Sequence, residues 1–183
     1  MENFDYNIVY EHRTEFMVGK LGDIRKRFNQ MAAKTPPAWR FMQDRQHWSL
    51  RNATDQGFPC KGEWRIKCSD KKLRLESGIR CWKAEDAPEL TLKAAYTGKE
   101  PVTLQIFWKR LDEDNFESRK SLSLKLDSDG GFHTYHLALN GSTEYRGLIT
   151  GLAIEPAHQT SPGAEVAIQS IVLTPSPQPS TNK

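Results

Sequence analysis

The hydrophobic pattern of the chain changes near residue 37, from a helical period to a strand period. Over Thr14–Lys34, apolar residues recur at intervals of three and four, which is the spacing of one helical face: Met17, Leu21, Ile24, Phe28 and Met31. Pro36-Pro37 ends this predicted helix. Gly19 and Gly22 weaken its first half, so the apolar face must be buried on another surface. That surface is the following domain, a second copy in a homodimer, or a neighbouring domain.

After residue 37, apolar and polar residues alternate with the period of a β-strand. Trp64, Ile66 and Cys68 share one face, while Arg65 and Lys67 share the other. Eight segments follow this pattern: EWRIKCSD, KKLRLES, ELTLKAAY, PVTLQIFWKR, SLSLKL, FHTYHLAL, LITGLAIE and EVAIQSIVL. Turn clusters such as DSDGG and NGST separate them. Short strands joined by such turns predict an antiparallel all-β sandwich.

The stretch YRGLITGLAIEP, at 145–156, combines two glycines with a short apolar run that a proline closes. Glycine and proline disfavour a helix here. We therefore expect a strand that is entered through a tight turn.

These patterns divide the 183 residues into three parts. We expect a helical extension at 1–37, a β-sandwich at 38–174 and a disordered Pro/Ser-rich tail at 175–183. A chain of this length has room for one domain with a full core plus an appendage.

Composition excludes some classes of protein. The mean hydropathy is -0.68, and no apolar run approaches the roughly 18 residues of a membrane-spanning helix. The first residues resemble no secretion signal, so the chain stays inside the cell or is a piece of a longer secreted protein. The net charge of +3 is small for a nucleic-acid binder, although Arg51–Lys83 holds nine basic and four acidic residues.

The three cysteines, Cys60, Cys68 and Cys81, form no CxxC pair, which argues against a zinc site. Buried free thiols are the favoured interpretation, and one disulfide in an oxidising compartment is the alternative.

Several spaced motifs resemble one family of sandwiches. They are an aromatic-rich start (WRF at 39–41 and HW at 47–48), a strand with glutamine and an aromatic pair (LQIFW at 104–108), the strand HTYHL at 133–137, and YRGLITGLAIEP. Together they resemble the jelly-roll, galactose-binding-like carbohydrate-binding modules attached to bacterial polysaccharide-degrading enzymes. Tyr145 stands where tryptophan is usual in that pattern, and Glu155 where aspartate is usual.

The resemblance implies a non-catalytic module that targets an adjacent catalytic domain to a polysaccharide. Sugars are bound by flat aromatic faces beside planar hydrogen-bonding groups. Gln105, Phe107 and Lys109 lie on one face of their strand, and we expect them to line the concave sheet. The alternative is that Phe107 packs against the N-terminal helix and that Gln105 is merely exposed.

Two further binding candidates come from the basic segment. Trp82 lies in the polar loop IRCWKAEDAPEL, which suggests an exposed aromatic ring, and a plug at the end of the sandwich is the alternative. Arg65, Lys67 and Arg74 form a cationic row on two consecutive strands, which suits an acidic glycan. This row lacks interleaved exposed aromatics, which argues against nucleic acid.

Other residues suggest functions that are alternatives to glycan binding. His133 and Tyr135 share a strand face and suggest a small polysaccharide lyase, although His136 points the other way. Turn carboxylates such as Asp112, Glu113 and Asp114 look like hairpin connections, and a structural Ca²⁺ near one of them is an expectation without assigned ligands. A structural or protein-interaction sandwich without glycan binding is the remaining alternative.

Overall fold

The structure of this chain, a computed structural model, describes residues 16–175, without the side chains at positions 28, 29 and 31. The tail predicted to be disordered therefore lies outside the described residues, apart from Pro175, and so does the start of the predicted helix. The chain is divided into two compact units, and the boundary lies between Gln30 and Met31. The predicted domain boundaries at residues 37 and 174 stay predictions.

The single α-helix of the described residues, α1, covers Leu21–Met31 and is shorter than the predicted Thr14–Lys34. It begins where the amides of Asp23 and Ile24 donate to the carbonyl of Lys20. Residues 16–20 precede it, in agreement with the weakening effect of Gly19. What covers its apolar face stays a prediction.

Residues 31–175 form two six-stranded antiparallel sheets. The strands are β1 (Ala38–Arg40), β2 (Ser49–Arg51), β3 (Ala53–Asp55), β4 (Trp64–Cys68), β5 (Arg74–Glu76), β6 (Trp82–Lys83), β7 (Glu89–Thr97), β8 (Val102–Arg110), β9 (Ser121–Leu126), β10 (His133–Ala138), β11 (Leu148–Pro156) and β12 (Glu165–Thr174). Sheet A has the order β10-β7-β12-β4-β3, with β1 also paired to β12. Sheet B has the order β2-β5-β11-β8-β9, with β6 also paired to β11.

The predicted all-β antiparallel sandwich with an N-terminal helix is confirmed, and each of the eight predicted strands is present. The short strands β1, β2, β3 and β6 were not predicted. They have two or three residues each. The strand β5 also has three residues, but the segment KKLRLES extends its alternation beyond the strand and made it predictable.

The core lies between the sheets and is rich in tryptophan. Trp39, Trp64, Trp82 and Trp108 are fully buried. Trp39 packs edge to face against Trp48 at 5.4 Å and against Trp82 at 6.3 Å between ring centroids. Edge-to-face aromatic contacts of this kind add to the stabilisation from buried apolar area.

The segment YRGLITGLAIEP forms the turn and strand that its glycines predicted. Gly147 has a φ of 72°, a value that favours glycine, and β11 starts at the next residue. This strand is central in sheet B, between β5 and β8. Ile149 pairs with Arg110 and Gly151 with Lys109, so β11 has one extra residue, Thr150, relative to β8 at this point.

The three cysteines are free thiols, and Cys60 and Cys68 are buried. Within residues 16–175, no helix has the length and apolar character to cross a bilayer.

Candidate functional site

The outer face of sheet B carries the polar half of β8. Val102, Leu104, Ile106 and Trp108 point into the core, while Gln105, Phe107 and Lys109 are half-buried on the other side. The predicted grouping of these three residues on one outward face is therefore what the structure shows. We call this surface the sheet B face, and define it by the outward residues of β2, β5, β11, β8 and β9.

Phe107 lies on this face, on β8, between two small neighbours. Its register partners are Ala153 on β11 and Ser121 on β9. Neighbours of this size cover a phenyl ring less than large side chains would. Phe107 is therefore the aromatic candidate for a stacking platform among the residues named from sequence.

The Gln105 amide beside Phe107 is held in place by hydrogen bonds. Its Nε2 donates to Ser123 Oγ at 2.8 Å, and Ser121 Oγ donates to its Oε1 at 3.3 Å. Glu155 is its partner across β11. A fixed planar amide next to an aromatic ring is a suitable arrangement for recognising sugar hydroxyls.

Arg74, on β5, is locked by carboxylates. Its guanidinium donates to Glu76 and to Glu155, and Lys72 Nζ lies 2.9 Å from Glu155. Burial acts to raise the pKa of Glu155, but the hydrogen bonds from Lys72 and Arg74 outweigh it and hold that pKa below its usual value. Arg74 is therefore a neutralised, structural cation of this face.

Phe116 was missed by the sequence reasoning and closes one end of the face. The guanidinium of Arg74 lies 5.2 Å from its ring centroid, and Lys109 Nζ lies 5.5 Å from it. A Cβ at Gly151 would lie 3.6 Å from the ring, which is van der Waals contact, so Phe116 lies close to β11 at this position. The available signal was a single aromatic residue within the polar run DEDNFESRK.

The loop that carries Phe116, residues 111–120, is anchored by a buried ammonium group. Lys120 is fully buried, donates to Glu113, and lies 3.3 Å from Glu117 Oε1. Arg110 Nε also donates to Glu113, at 2.7 Å. Burial acts to raise the pKa of Glu113, but the hydrogen bonds from Lys120 and Arg110 lower it overall. Glu113 thus serves the loop as a structural anion.

A pocket of about 430 Å³ lies between this loop and the sheet. Its lining residues are Arg51, Arg74, Glu76, Lys109, Asp114, Asn115 and Phe116. We call it the edge pocket. Its volume falls within the range of about 300–1,000 Å³ that is common for small-molecule sites.

The interpretation of Trp82 as an exposed ring is wrong. Trp82 is fully buried on β6, where it pairs with Ile149 and donates its indole N–H to Tyr145 Oη at 3.1 Å. Lys83 is the next residue of β6, and Glu85 and Asp86 lie in the short 3-10 turn that follows, so the polarity of these neighbours gave no information on the burial of the ring.

The predicted cationic row is also wrong as a single surface. Arg65 and Lys67 are exposed on β4 of sheet A, whereas Arg74 lies on β5 of sheet B. The chain crosses from one sheet to the other between these strands, so the two parts of the row lie on opposite faces of the sandwich. Arg65 is also paired with Glu63 at 2.5 Å.

The residues of the lyase hypothesis follow the predicted alternation. His133 and Tyr135 share the inward side of β10, with Tyr135 packed against the core, while His136 is exposed on the other side. The Tyr135 hydroxyl accepts the amide N–H of Asp127 at 3.1 Å, and His133 Nε2 lies 2.9 Å from Asp129 Oδ2. Both side chains thus have partners at the end of sheet A.

No described residues form a group of three or more His, Cys, Asp or Glu side chains that is placed to hold a metal ion. The expectation of a structural Ca²⁺, which backbone carbonyls can also bind, stays a prediction.

Comparisons with known proteins agree with this architecture. No protein-family model matches the chain, and no curated protein matches it in sequence. Among solved structures, the chain is similar to the second N-terminal cellulose-binding domain of Cellulomonas fimi β-1,4-glucanase C. That match has a TM-score of 0.50 and 13% identity, and covers 81% of this chain and 99% of that one. A low-affinity xylan-binding module from Roseburia intestinalis gives a TM-score of 0.49 and 13% identity, over 76% of this chain and 94% of that one. The match to the Cellulomonas domain shows a shared β-sandwich fold.

Proposed function

We propose that the sandwich is a non-catalytic carbohydrate-binding module whose glycan lies across the sheet B face. The observation that carries this proposal is the half-buried Phe107 ring on the outer side of the sheet, flanked by small side chains and by the oriented amide of Gln105. The shared fold with a cellulose-binding domain supports it by analogy.

Binding would follow from ordinary contacts rather than from chemistry on the sugar. The C–H face of a sugar ring packs on Phe107, and its hydroxyls exchange hydrogen bonds with Gln105 and with neighbouring serines. His133 and Tyr135, the residues of the lyase hypothesis, lie on sheet A and are engaged in their own hydrogen bonds. We therefore infer a binding role without catalysis.

The biological use we propose is to hold an adjacent catalytic domain near its polysaccharide. A weak module attached to an enzyme raises the effective concentration of substrate at the active site. A shallow face with one aromatic platform suits such weak binding.

A glycan array with neutral and acidic polysaccharides tests the proposal. We expect the wild-type protein to bind, and Phe107→Ala to weaken binding by about tenfold, the change that 1.4 kcal/mol produces. Lys93→Gln is a matched control, since Lys93 is exposed on β7 of sheet A. Arms with and without Ca²⁺ test the calcium prediction in the same experiment. A blank array for a folded protein would contradict the proposal and favour the protein-interaction alternative.

A further inference from the structure

We propose that the edge pocket is a subsite for the carboxylate of an acidic sugar, with Arg51 and Lys109 as the cations that recognise it. This inference rests on the proposed glycan-binding role of the sheet B face. It assigns the ligand class as polysaccharides that contain uronate residues.

The edge pocket continues the proposed binding face. Lys109 is two residues from Phe107 on the same side of β8, so a glycan that packs on Phe107 can extend into the pocket. Arg51 enters from β2, at the opposite edge of the sheet, and Phe116 forms an aromatic wall. The pocket is thus built from separate elements that converge on one space.

The cations of the pocket differ in how far they are neutralised. Arg74 donates to two carboxylates, Glu76 and Glu155. Arg51, by contrast, is 69% exposed, and its Nη2 lies 3.9 Å from Glu76 Oε2, a distance at which no direct hydrogen bond forms. The same carboxylate already accepts a hydrogen bond from Arg74.

The Lys109 ammonium has no charged partner among the contacts that the described residues make with it. It donates weakly to the backbone carbonyl of Asp114 at 3.4 Å and lies over the Phe116 ring. Neither contact cancels its positive charge. Arg51 and Lys109 therefore have unused capacity for an anion, in a lining where three cations face two carboxylates.

The chemistry of these groups favours a carboxylate attached to a sugar ring. A guanidinium offers paired donors that match the two oxygens of a planar carboxylate, and an ammonium adds a point charge. Asp114 and Asn115 supply acceptors for ring hydroxyls at the rim. A small inorganic anion would leave Phe116, Asp114 and Asn115 without a role in recognition.

The test uses pairs of polysaccharides that share a backbone and differ in the carboxylate. The probes are homogalacturonan and its methyl ester, glucuronoxylan and unsubstituted xylan, and dextran sulfate and dextran for the sulfate ester. The full chain and the variants Arg51→Gln, Lys109→Gln and Lys93→Gln are compared by affinity electrophoresis. Lys93 is the matched control, because it is exposed on β7 of sheet A, outside the sheet B face and the pocket. Thermal unfolding checks that each variant is folded.

We expect the wild-type protein to bind a carboxylated member about tenfold more tightly than its neutral partner. That ratio should fall towards one in Arg51→Gln and in Lys109→Gln, and persist in Lys93→Gln. Equal binding of acidic and neutral members would overturn the subsite while leaving the glycan-binding face intact. A preference for dextran sulfate over both carboxylated polysaccharides would overturn the uronate assignment. Failure to bind any polysaccharide would overturn the subsite together with the proposed function.

Discussion

Tyr145 illustrates how a single hydroxyl can link several segments of this core. It accepts the indole N–H of Trp82 at 3.1 Å and donates to the carbonyl of Ala87 at 2.9 Å. Its ring packs edge to face on Trp108 at 5.3 Å. Burial raises the pKa of this phenol from 10.0 to about 12, because the charged form is poorly solvated in the core.

The variant Tyr145→Phe should lower the free energy of unfolding by about 2 kcal/mol at pH 8, since it leaves a buried donor and a buried acceptor unpaired. This gap should shrink by about 1.4 kcal/mol by pH 11, because the phenol of the unfolded chain ionises above pH 10 while the folded one keeps its proton. Urea unfolding of both proteins at pH 8 and pH 11 measures this difference in the free energy of unfolding. Other titrating groups are common to both proteins, so a gap that stays constant would count against this pKa.

For single residues, the sequence predicts the strand face to which a side chain points. It predicts less well whether that side chain is buried and which residues it contacts. The outward position of Gln105, Phe107 and Lys109 follows from strand geometry alone. The burial of Trp82 does not, because a two-residue strand shows no period. Phe116 and Arg51 reach the edge pocket through loop and strand packing that local sequence does not encode.

The loop at 111–120 is the element on which the shape of the edge pocket depends. It holds Asp114, Asn115 and Phe116 through the buried contact of Lys120 with Glu113. Because this anchor lies outside the pocket lining, it can be altered without removing a proposed ligand contact.

We expect Lys120→Met to lower the free energy of unfolding by about 3 kcal/mol at pH 7, since it leaves the half-buried Glu113 without one of its cations. The loss should diminish as the pH falls below 4.5, because the lowered pKa of Glu113 makes this ion pair contribute only while the carboxylate is ionised. Urea unfolding at pH 7 and pH 3 measures both values. Affinity for an acidic polysaccharide should fall as well, as Phe116 loses its fixed position.

The double variant Lys120→Met, Glu113→Gln serves as the control for that loop. Removal of the carboxylate should recover part of the lost stability, because the unpaired anion is then absent. Equal stability of the single and double variants would show that Glu113 and Lys120 are not coupled.

The strands as elements were predicted almost completely, whereas their assignment to sheets was not. Period-two alternation is a property of residues that are close in sequence, so it can be recognised in each of the eight predicted segments. Membership of a sheet depends on where the chain crosses the core. The crossing between β4 and β5 separates Arg65 and Lys67 from Arg74, although only a few residues lie between them in sequence.

The whole molecule presents two outer faces with different chemistry. The outer side of sheet A carries exposed charges such as Arg65, Lys67 and Lys93, and Arg65 also lines a smaller pocket with Phe58. The sheet B face combines a half-buried aromatic ring, an amide oriented by hydrogen bonds and the edge pocket. Because these three features adjoin one another there, we expect a glycan on the sheet B face.

Every buried hydrophobic residue of the described core lies at or after Trp39, and both sheets are built from residues after 37. We therefore expect residues 31–183, produced alone, to unfold cooperatively and to bind polysaccharide with the same Kd as the full chain. Thermal unfolding and affinity electrophoresis of both proteins measure this, and analytical ultracentrifugation adds their masses. If the full chain is a dimer and the shorter protein a monomer with unchanged Kd, the helix mediates self-association apart from glycan binding. A shorter protein that folds but loses affinity would show that the first thirty residues contribute to the site, contrary to the assignment of binding to the sandwich.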